Sequence, residues 1–459
     1  MAPRLTLRKS SSHLEMDVTV TIKLPLGASM LEQENAIQRA IHLAGLHSTQ
    51  ALLASLDTQG DPLEITDEQG RVVRFTAKRD KVAKEIETPY GKTVVERFLY
   101  QSCAGGACLV PLDCAAGLIG AATPKFAQMV SSKVAQMPAR AVQRDLQDNH
   151  ARPACLEQLQ QVAQRVALLA EAAEPHLQLK DIKELPAPKA VHTISVGVDA
   201  ASILMSRASE PEAADRRKAR SLDWRMGMVG SISFYDARSE RLMSVYQSQS
   251  PPEDPQEGKA AFWQRMESKL SQIKKRYPKA RYTGVSDGAP DLAEWLQKHT
   301  EVQVLDYYHA AAYLDLAAPA FYKDEQKAGA WAAAAREEMR DAPGGARALL
   351  EKMQEQQEKP MGAGAKAGLA KAIGYMAGRM ERMDYAGFKE RAIPIGSGVT
   401  ESACKRIIKQ RMGGPGMRWG YRAAQQILTL RCLLFSDGHW RTLWNHLSPP
   451  AAIFNHELF

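Results

Sequence analysis

The sequence predicts an α/β core built on a mixed sheet, interrupted by an all-α insertion and preceded by mixed α/β and helical regions. Three observations carry this. Apolar alternation over Val191–Val198, Met226–Phe234 and Leu242–Tyr246 reads as three strands, with Asp236–Glu240 a polar turn between the last two. Strand-like runs at Tyr282–Val285 and Val302–Leu305 then alternate with helical stretches at Ala260–Tyr277 and Leu292–Lys298. From Leu316 to Met383 the chain is alanine-rich and helical, with breaks at Pro343–Gly345 and Pro360–Gly364, and this block interrupts the alternation. Hairpin-linked strands followed by strands alternating with helices are the strand sequence of a ribonuclease-H-like fold.

At 459 residues the chain has room for about three domains. Residues 1–87 read as a mixed α/β region: Val18, Val20, Ile22 and Leu24 alternate as a strand, Leu31–Leu56 is helical and Val72–Thr76 is a strand. Residues 88–122 form a β-hairpin region around the run Thr93–Tyr100. Residues 123–180 are helical. Thr123-Pro124 and Met137-Pro138 each open a helix, and Pro153 starts a third. Two helices and a short turn before another helix fit a DNA-binding helix-turn-helix, with Arg140, Arg144 and Arg152 reaching for phosphates; a plain helical bundle fits equally well. A proline-containing linker, Asp181–Ala190, leads into the core. The core occupies 191–315, resumes over 392–447 after the insertion at 316–391, and is followed by a tail at 448–459.

Hydrophobic residues at 45% and charged residues at 24% suit a globular chain with apolar cores. A net charge of +8 and a pI near 9.0 favour anionic partners, nucleic acid or acidic membrane. The basic start Met1–Glu15 lacks the apolar stretch of a secretory signal, and there is no run of about 18 apolar residues to span a membrane. Cys103, Cys108, Cys114, Cys155, Cys404 and Cys432 are few and scattered, as in a reduced cytosolic protein. Cys103, Cys108 and Cys114 lack the paired spacing of a zinc knuckle and read as ordinary thiols, with an irregular zinc site as the alternative.

Three acids stand where chemistry is expected. Asp199 ends the first core strand in SVGVDAA, Asp287 ends the fourth in GVSDGAP, and Glu401 opens the helix after Ile395-Gly396-Ser397-Gly398. In a sheet of this kind the first and fourth strands are parallel neighbours, so their C-terminal ends lie side by side. Carboxylates there hold hard cations, which take oxygen ligands. Two such ions about 3.5–4 Å apart activate an attacking oxygen and stabilise a leaving one in phosphoryl transfer. The expected cofactors are two divalent ions, Mg²⁺ with Mn²⁺ as substitute. Taken singly, each acid also has a structural reading: a turn aspartate at 287, a helix-dipole partner at 401, a strand-end loop residue at 199.

Asp306 and His309, in LDYYHA, follow the fifth strand on the same edge and read as supporting residues, with a purely structural histidine as the alternative. Lys405 and Lys409 lie four and eight positions beyond Glu401, on one face of an α-helix; with Arg411 they offer cations to DNA phosphates or form a solvated basic face. Gly413, Gly414, Pro415 and Gly416 make a loop carrying Arg418 and Trp419. That pair is suited to gripping a backbone and stacking on an unpaired base; a core tryptophan beside a surface arginine is the other reading.

The stretch IPIGSGVTESACKRIIKQRMGGPGMRW, followed by LRCLLFSDGHWRTLWNHL, resembles the C-terminal core of ISKra-type insertion-sequence transposases. VGVDAA, WRMGMVGSIS, VSDGAP and LDYYHAAAYL are similar to their earlier blocks in the same order, and TPYGKTVVERFLYQ with PLD to their N-terminal hairpin region. The likeness covers roughly residues 88–447. It implies a DDE-class enzyme whose ribonuclease-H-like domain is split by a helical insertion, for which the 114 residues from Asp287 to Glu401 leave room. By position, Asp199, Asp287 and Glu401 match the family's acidic triad.

The function so implied is metal-dependent cleavage and strand transfer on double-stranded DNA, at element ends and target. The enzyme would work as a homodimer or larger assembly on DNA, without a membrane, in a bacterial cytoplasm at the nucleoid. A nuclease or resolvase of the same fold, and a domesticated DNA-binding protein, are the alternatives. The chain departs from the family's pattern in the charged segment Ser209–Arg220 and around Cys103 and Cys108.

Overall fold

In this computed structural model residues 3–448 are described, apart from 10–12, 25, 67–68, 104, 107, 175–176, 178, 209–219, 253–254 and 289. The chain divides into two units, Met1–Leu177 with Arg441–Phe459, and Gln178–Trp440. The regions expected at 1–87 and 88–122 thus share a unit with the three helices that follow. The tail beyond 448 and the charged segment at 209–219 lie outside the described residues.

The first unit opens with a hairpin of β1 (Arg4–Lys9) and β2 (Leu14–Thr19) and continues into α1 (Met30–Ser55). The strand expected to run to Leu24 stops at Thr19. Ser29 and Glu32 form a reciprocal capping box, each side chain accepting the other's backbone N–H, which fixes the start of α1. There follow β3 (Leu63–Thr66), β4 (Val72–Ala77), β5 (Val82–Thr88), β6 (Gly91–Arg97), β7 (Tyr100–Ser102) and β8 (Cys108–Leu109). They pair as a sheet of order β3-β4-β7-β8 and a separate β5–β6 hairpin. After the short α2 (Pro111–Ala115) come α3 (Pro124–Gln136), α4 (Ala139–His150) and α5 (Leu156–Ala173). Helices α3 and α4 open at the prolines that the sequence supplies, whereas α5, expected from Pro153, opens three residues later at Leu156.

The second unit is built on β9 (Thr193–Ala208), β10 (Arg220–Tyr235), β11 (Arg241–Gln249), α6 (Pro255–Arg276), β12 (Arg281–Ser286), α7 (Pro290–His299) and β13 (Val302–Leu305). The strands form one sheet of order β11-β10-β9-β12-β13. Pairing is antiparallel among β11, β10 and β9 and parallel among β9, β12 and β13. Alternation along β9 assigns its two faces. Ile194, Val196 and Val198 pack with Phe262, Met266, Leu270 and Ile273 of α6. Ala201, Ile203 and Met205 pack on the other side. Both β9 and β10 outrun expectation, because apolar alternation continues through Met205 and the strands stay paired as far as Ala208 beside Arg220.

The insertion, expected from 316, is already helical from Tyr307, directly after β13: its helices are α8 (Tyr307–Phe321), α9 (Glu325–Asp341), α10 (Gly345–Gln357), α11 (Ala363–Ala377) and α12 (Tyr385–Glu390). Its core alternates small and large side chains, Ala310, Ala317, Ala335 and Ala372 against Leu314, Met339, Leu349 and Met376. Small residues at the crossings let the helices approach, and the long ones fill the gaps. The chain then returns to the sheet through α13 (Gly398–Ala403), a π-helical turn (Cys404–Lys409), α14 (Gln410–Met412) and α15 (Tyr421–Phe435), before α16 (His439–Leu447). Among the described residues no helix is long and apolar enough to cross a membrane.

Candidate active site

Strand register sets the acids at one level. β12 runs beside β9 with Val285 opposite Gly197, and two residues further along each chain stand Asp287 and Asp199. β13 runs beside β12 with Leu305 opposite Ser286, and the next residues are Asp306 and Asp287. The Asp306 N–H donates to the Ser286 carbonyl at 2.8 Å, which extends that register by one step. Asp199 does not end its strand, contrary to expectation. It sits where β9 outruns its parallel partner while remaining paired with β10, opposite Val229. One of its carboxylate oxygens accepts the Ala200 N–H at 2.7 Å. Asp287 is exposed, in the bend after β12.

Glu401 arrives from the other side of the insertion. Helix α13 lies against β9 and β10, where the Thr400 and Ser231 hydroxyls meet at 2.7 Å. A Cβ on Gly197 would overlap Thr400 Oγ1, so glycine is what lets α13 settle onto the strand. The next residue, Glu401, is half-exposed, and the Ser397 hydroxyl donates to its Oε1 at 3.0 Å. Cys404, one turn on, is buried. Burial, then the charge of Asp199 and a hydrogen bond to it, push the thiol far above its usual range, and Glu401 adds to this. The thiol therefore senses both acids, one from the sheet and one from the helix.

Asp306 is fully buried and joins two segments. Its Oδ1 accepts the His309 N–H at 2.7 Å, capping α8, and its Oδ2 accepts the Ser397 N–H. Beside it the Tyr307 N–H donates to the Ile395 carbonyl at 2.9 Å. The loop that precedes Glu401 is thereby docked on the start of α8. His309 Nε2 lies 3.6 Å from Glu401 Oε1, with both side chains about half-exposed. Ligand-type atoms of Asp306, His309 and Glu401 fall within 4.8 Å of one another. Since both Asp306 oxygens already accept backbone N–H groups, its part is to organise, while His309 and Glu401 remain accessible to a ligand.

No protein-family model and no curated protein matches the chain.

The cations expected to meet DNA separate into two sets. Arg140 and Arg144 are exposed on α4, as are Lys405, Lys409 and Arg418 in the second unit. Arg152 is buried instead. Its guanidinium pairs with Glu87, donates to the Thr88 carbonyl at 2.8 Å and lies 4.7 Å from the Phe126 ring centroid, so it cements the first unit rather than reaching outward. Arg411 is also buried, 5.0 Å from the Trp419 ring centroid, and burial lowers its pKa to about 10. Trp419 is half-buried and pinned: its backbone bridges Leu204 and Ser206 of β9, and its indole N–H donates to the Met412 carbonyl at 3.2 Å. These contacts hold Trp419 in place against β9.

The face shared by Glu401, Lys405 and Lys409 also changes. The π turn replaces i→i+4 spacing by i→i+5, so positions beyond Cys404 rotate out of the α-helical phase. Lys409, five residues after Cys404, then lies close enough for its charge to act on that thiol. Gly197, Ser397, Thr400, Tyr375 and Arg431 belong to the site's surroundings and were not singled out from the sequence. Only Ser397, four residues before Glu401 in the IGSG loop, had a spacing that pointed to it.

Proposed function

We propose that the chain is a DDE-class DNA transposase with a ribonuclease-H-like core, similar to the ISKra type. It would cut and join the ends of its own mobile element on double-stranded DNA. One observation carries the reading. Asp199 in β9 and Asp287 in the bend after β12 each follow by two residues the last pair of those adjacent parallel strands, Gly197 and Val285, and a helix delivered from beyond the insertion brings Glu401 to the side on which Asp199 meets Cys404. The strand order β11-β10-β9-β12-β13, with only the last two pairings parallel, supports the fold assignment.

Asp199, Asp287 and Glu401 would hold two divalent ions, Mg²⁺ with Mn²⁺ as substitute. An all-oxygen donor set suits hard cations. When bound, such ions supply a nucleophilic oxygen at neutral pH and neutralise charge on the leaving oxygen. Ser397 orients Glu401 through its hydroxyl. His309, 3.6 Å from the same carboxylate oxygen, is placed to exchange a proton with an oxygen bound beside Glu401. Lys405, Lys409 and Arg418 would hold phosphates near the acids, and Arg140 and Arg144 would serve end recognition. Two ends must be brought together, so a dimer or larger assembly on DNA, at the nucleoid in the cytoplasm, follows.

The test is a joining assay. Purified protein, Mg²⁺ or Mn²⁺ and labelled DNA carrying the sequences that flank its own gene are incubated beside Asp287→Asn and Glu401→Gln. Joined products from the wild type alone are expected. Cleavage without joining would replace the transposase by a nuclease of the same fold, and DNA binding without metal-dependent chemistry would leave a domesticated binder.

A further inference from the structure

Asp287 follows the last residue of β12, so the aim of its carboxylate depends on the turn that carries it. Two side chains of the helical insertion hold that turn, Tyr375 in α11 and Arg379 two residues beyond its last residue, Ala377. The Tyr375 hydroxyl donates to the Asp287 carbonyl at 2.7 Å, and Arg379 Nη2 donates to the Gly288 carbonyl at 3.2 Å. The two holders are themselves braced. Arg379 Nη1 donates to the Tyr375 carbonyl at 3.0 Å, its guanidinium lies 4.5 Å from the Tyr375 ring centroid, and that ring stacks on Tyr313 of α8 with centroids 3.8 Å apart. Gly288 has φ +95°, and a Cβ there would meet Arg379 Nε at 2.5 Å and Leu305 Cδ1 at 3.1 Å. The turn is thus packed as well as hydrogen-bonded.

We propose that Tyr375 and Arg379 are positioning residues for Asp287, so that the helical insertion sets the geometry of the metal-binding acids. The inference rests on the function proposed above. Two neighbouring carbonyls, anchored from the end of α11 and a residue just beyond it, fix the peptide planes on either side of the Gly288 Cα, the first of which carries the Asp287 carbonyl. Groups that orient a ligand from behind typically change metal affinity or activity 10–100-fold when removed. Burial pushes the Tyr375 phenol up to about 12, so it remains a hydrogen-bond donor through neutral and mildly alkaline pH.

Tyr375→Phe removes the hydroxyl and keeps the stack on Tyr313. Full-length wild type, Tyr375→Phe, Arg379→Met and Asp287→Asn are compared in three measurements: Mn²⁺ titration without DNA, hydrogen exchange over the peptide containing Ser286–Gly288, and thermal unfolding. Tyr375→Phe is expected to weaken Mn²⁺ binding about tenfold and to speed exchange at the turn, with the melting temperature unchanged. Cleavage should recover at high Mn²⁺. Wild-type exchange and wild-type Mn²⁺ affinity in both Tyr375→Phe and Arg379→Met would overturn the proposal. If Asp287→Asn leaves Mn²⁺ binding unchanged, the metal-site reading falls instead, and faster exchange in Tyr375→Phe still shows the turn to be held from α11.

Discussion

Single side chains in the second unit act through what they exclude or satisfy. Gly197 leaves room for Thr400, so Gly197→Ala is expected to lift α13 from β9. It should destabilise the protein by about 1–3 kcal/mol and abolish strand cleavage; adding Thr400→Ala should return part of the stability in urea titrations. Cys404 stays protonated beside two carboxylates because burial and Asp199 oppose the thiolate. Iodoacetamide at neutral pH should therefore label exposed Cys103, Cys108 and Cys155 before Cys404, as read by peptide mass spectrometry. Asp287 and Glu401 were legible from the sequence as residues at element ends, whereas Asp199, read as a strand end, lies within β9. Arg152 and Arg411 were not legible as buried groups, because a charged residue in a helical or turn context reads as surface. What buries Arg152 is Glu87, 65 positions away, together with Phe126. What buries Arg411 is the packing of Trp419 against β9.

At the scale of elements, alternation and proline–cap signals placed strands and helices well, since each rests on a local period. The helix expected over Leu31–Leu56 spans Met30–Ser55, and the strand expected from Tyr282 begins at Arg281. The π turn was illegible because apolar spacing reports only which residues are buried, and Ile407 and Ile408 would be buried in either helix type. What marks the turn is a partner on another element. Buried Arg431 of α15 donates to the carbonyls of Ile407, at 2.8 Å, and of Arg406. Its guanidinium also lies 4.9 Å from the Phe435 ring centroid. Arg431→Met should leave those carbonyls without their donor and cost about 2–4 kcal/mol. The loss is measurable by chemical denaturation and should be accompanied by weakened Mn²⁺ binding, because the turn follows directly on the Glu401 helix.

For the whole molecule, pH adds a stability term that can be signed. His439 is buried, with Nδ1 3.0 Å from the Asp437 carbonyl; burial, then the charge of Lys269, hold its pKa at about 4 against an ordinary 6.5. An unfolded imidazole takes up a proton below about 6.5 while the folded one resists until about 4, so stability is present above this window and falls as the pH drops through it. A loss of up to about 3 kcal/mol is expected between neutral pH and pH 4. His439→Gln should remove that slope in urea titrations across the same range. The strands were legible because each announced itself locally. The way distant segments close the site was not, since the joining contacts tie residues far apart in sequence: Asp306 to Ser397 across 91 positions, Tyr375 to Asp287 across 88, Ser231 to Thr400 across 169. Closing such loops is entropically slow compared with forming a hairpin or a helix turn. On a ribosome the β9–β11 hairpins can therefore form long before the helix bearing Glu401 has been made, and during refolding the same delay applies. Incomplete chains hold the aspartates without their glutamate, so under the function proposed above, competence to cut DNA would be the last property the folding chain acquires.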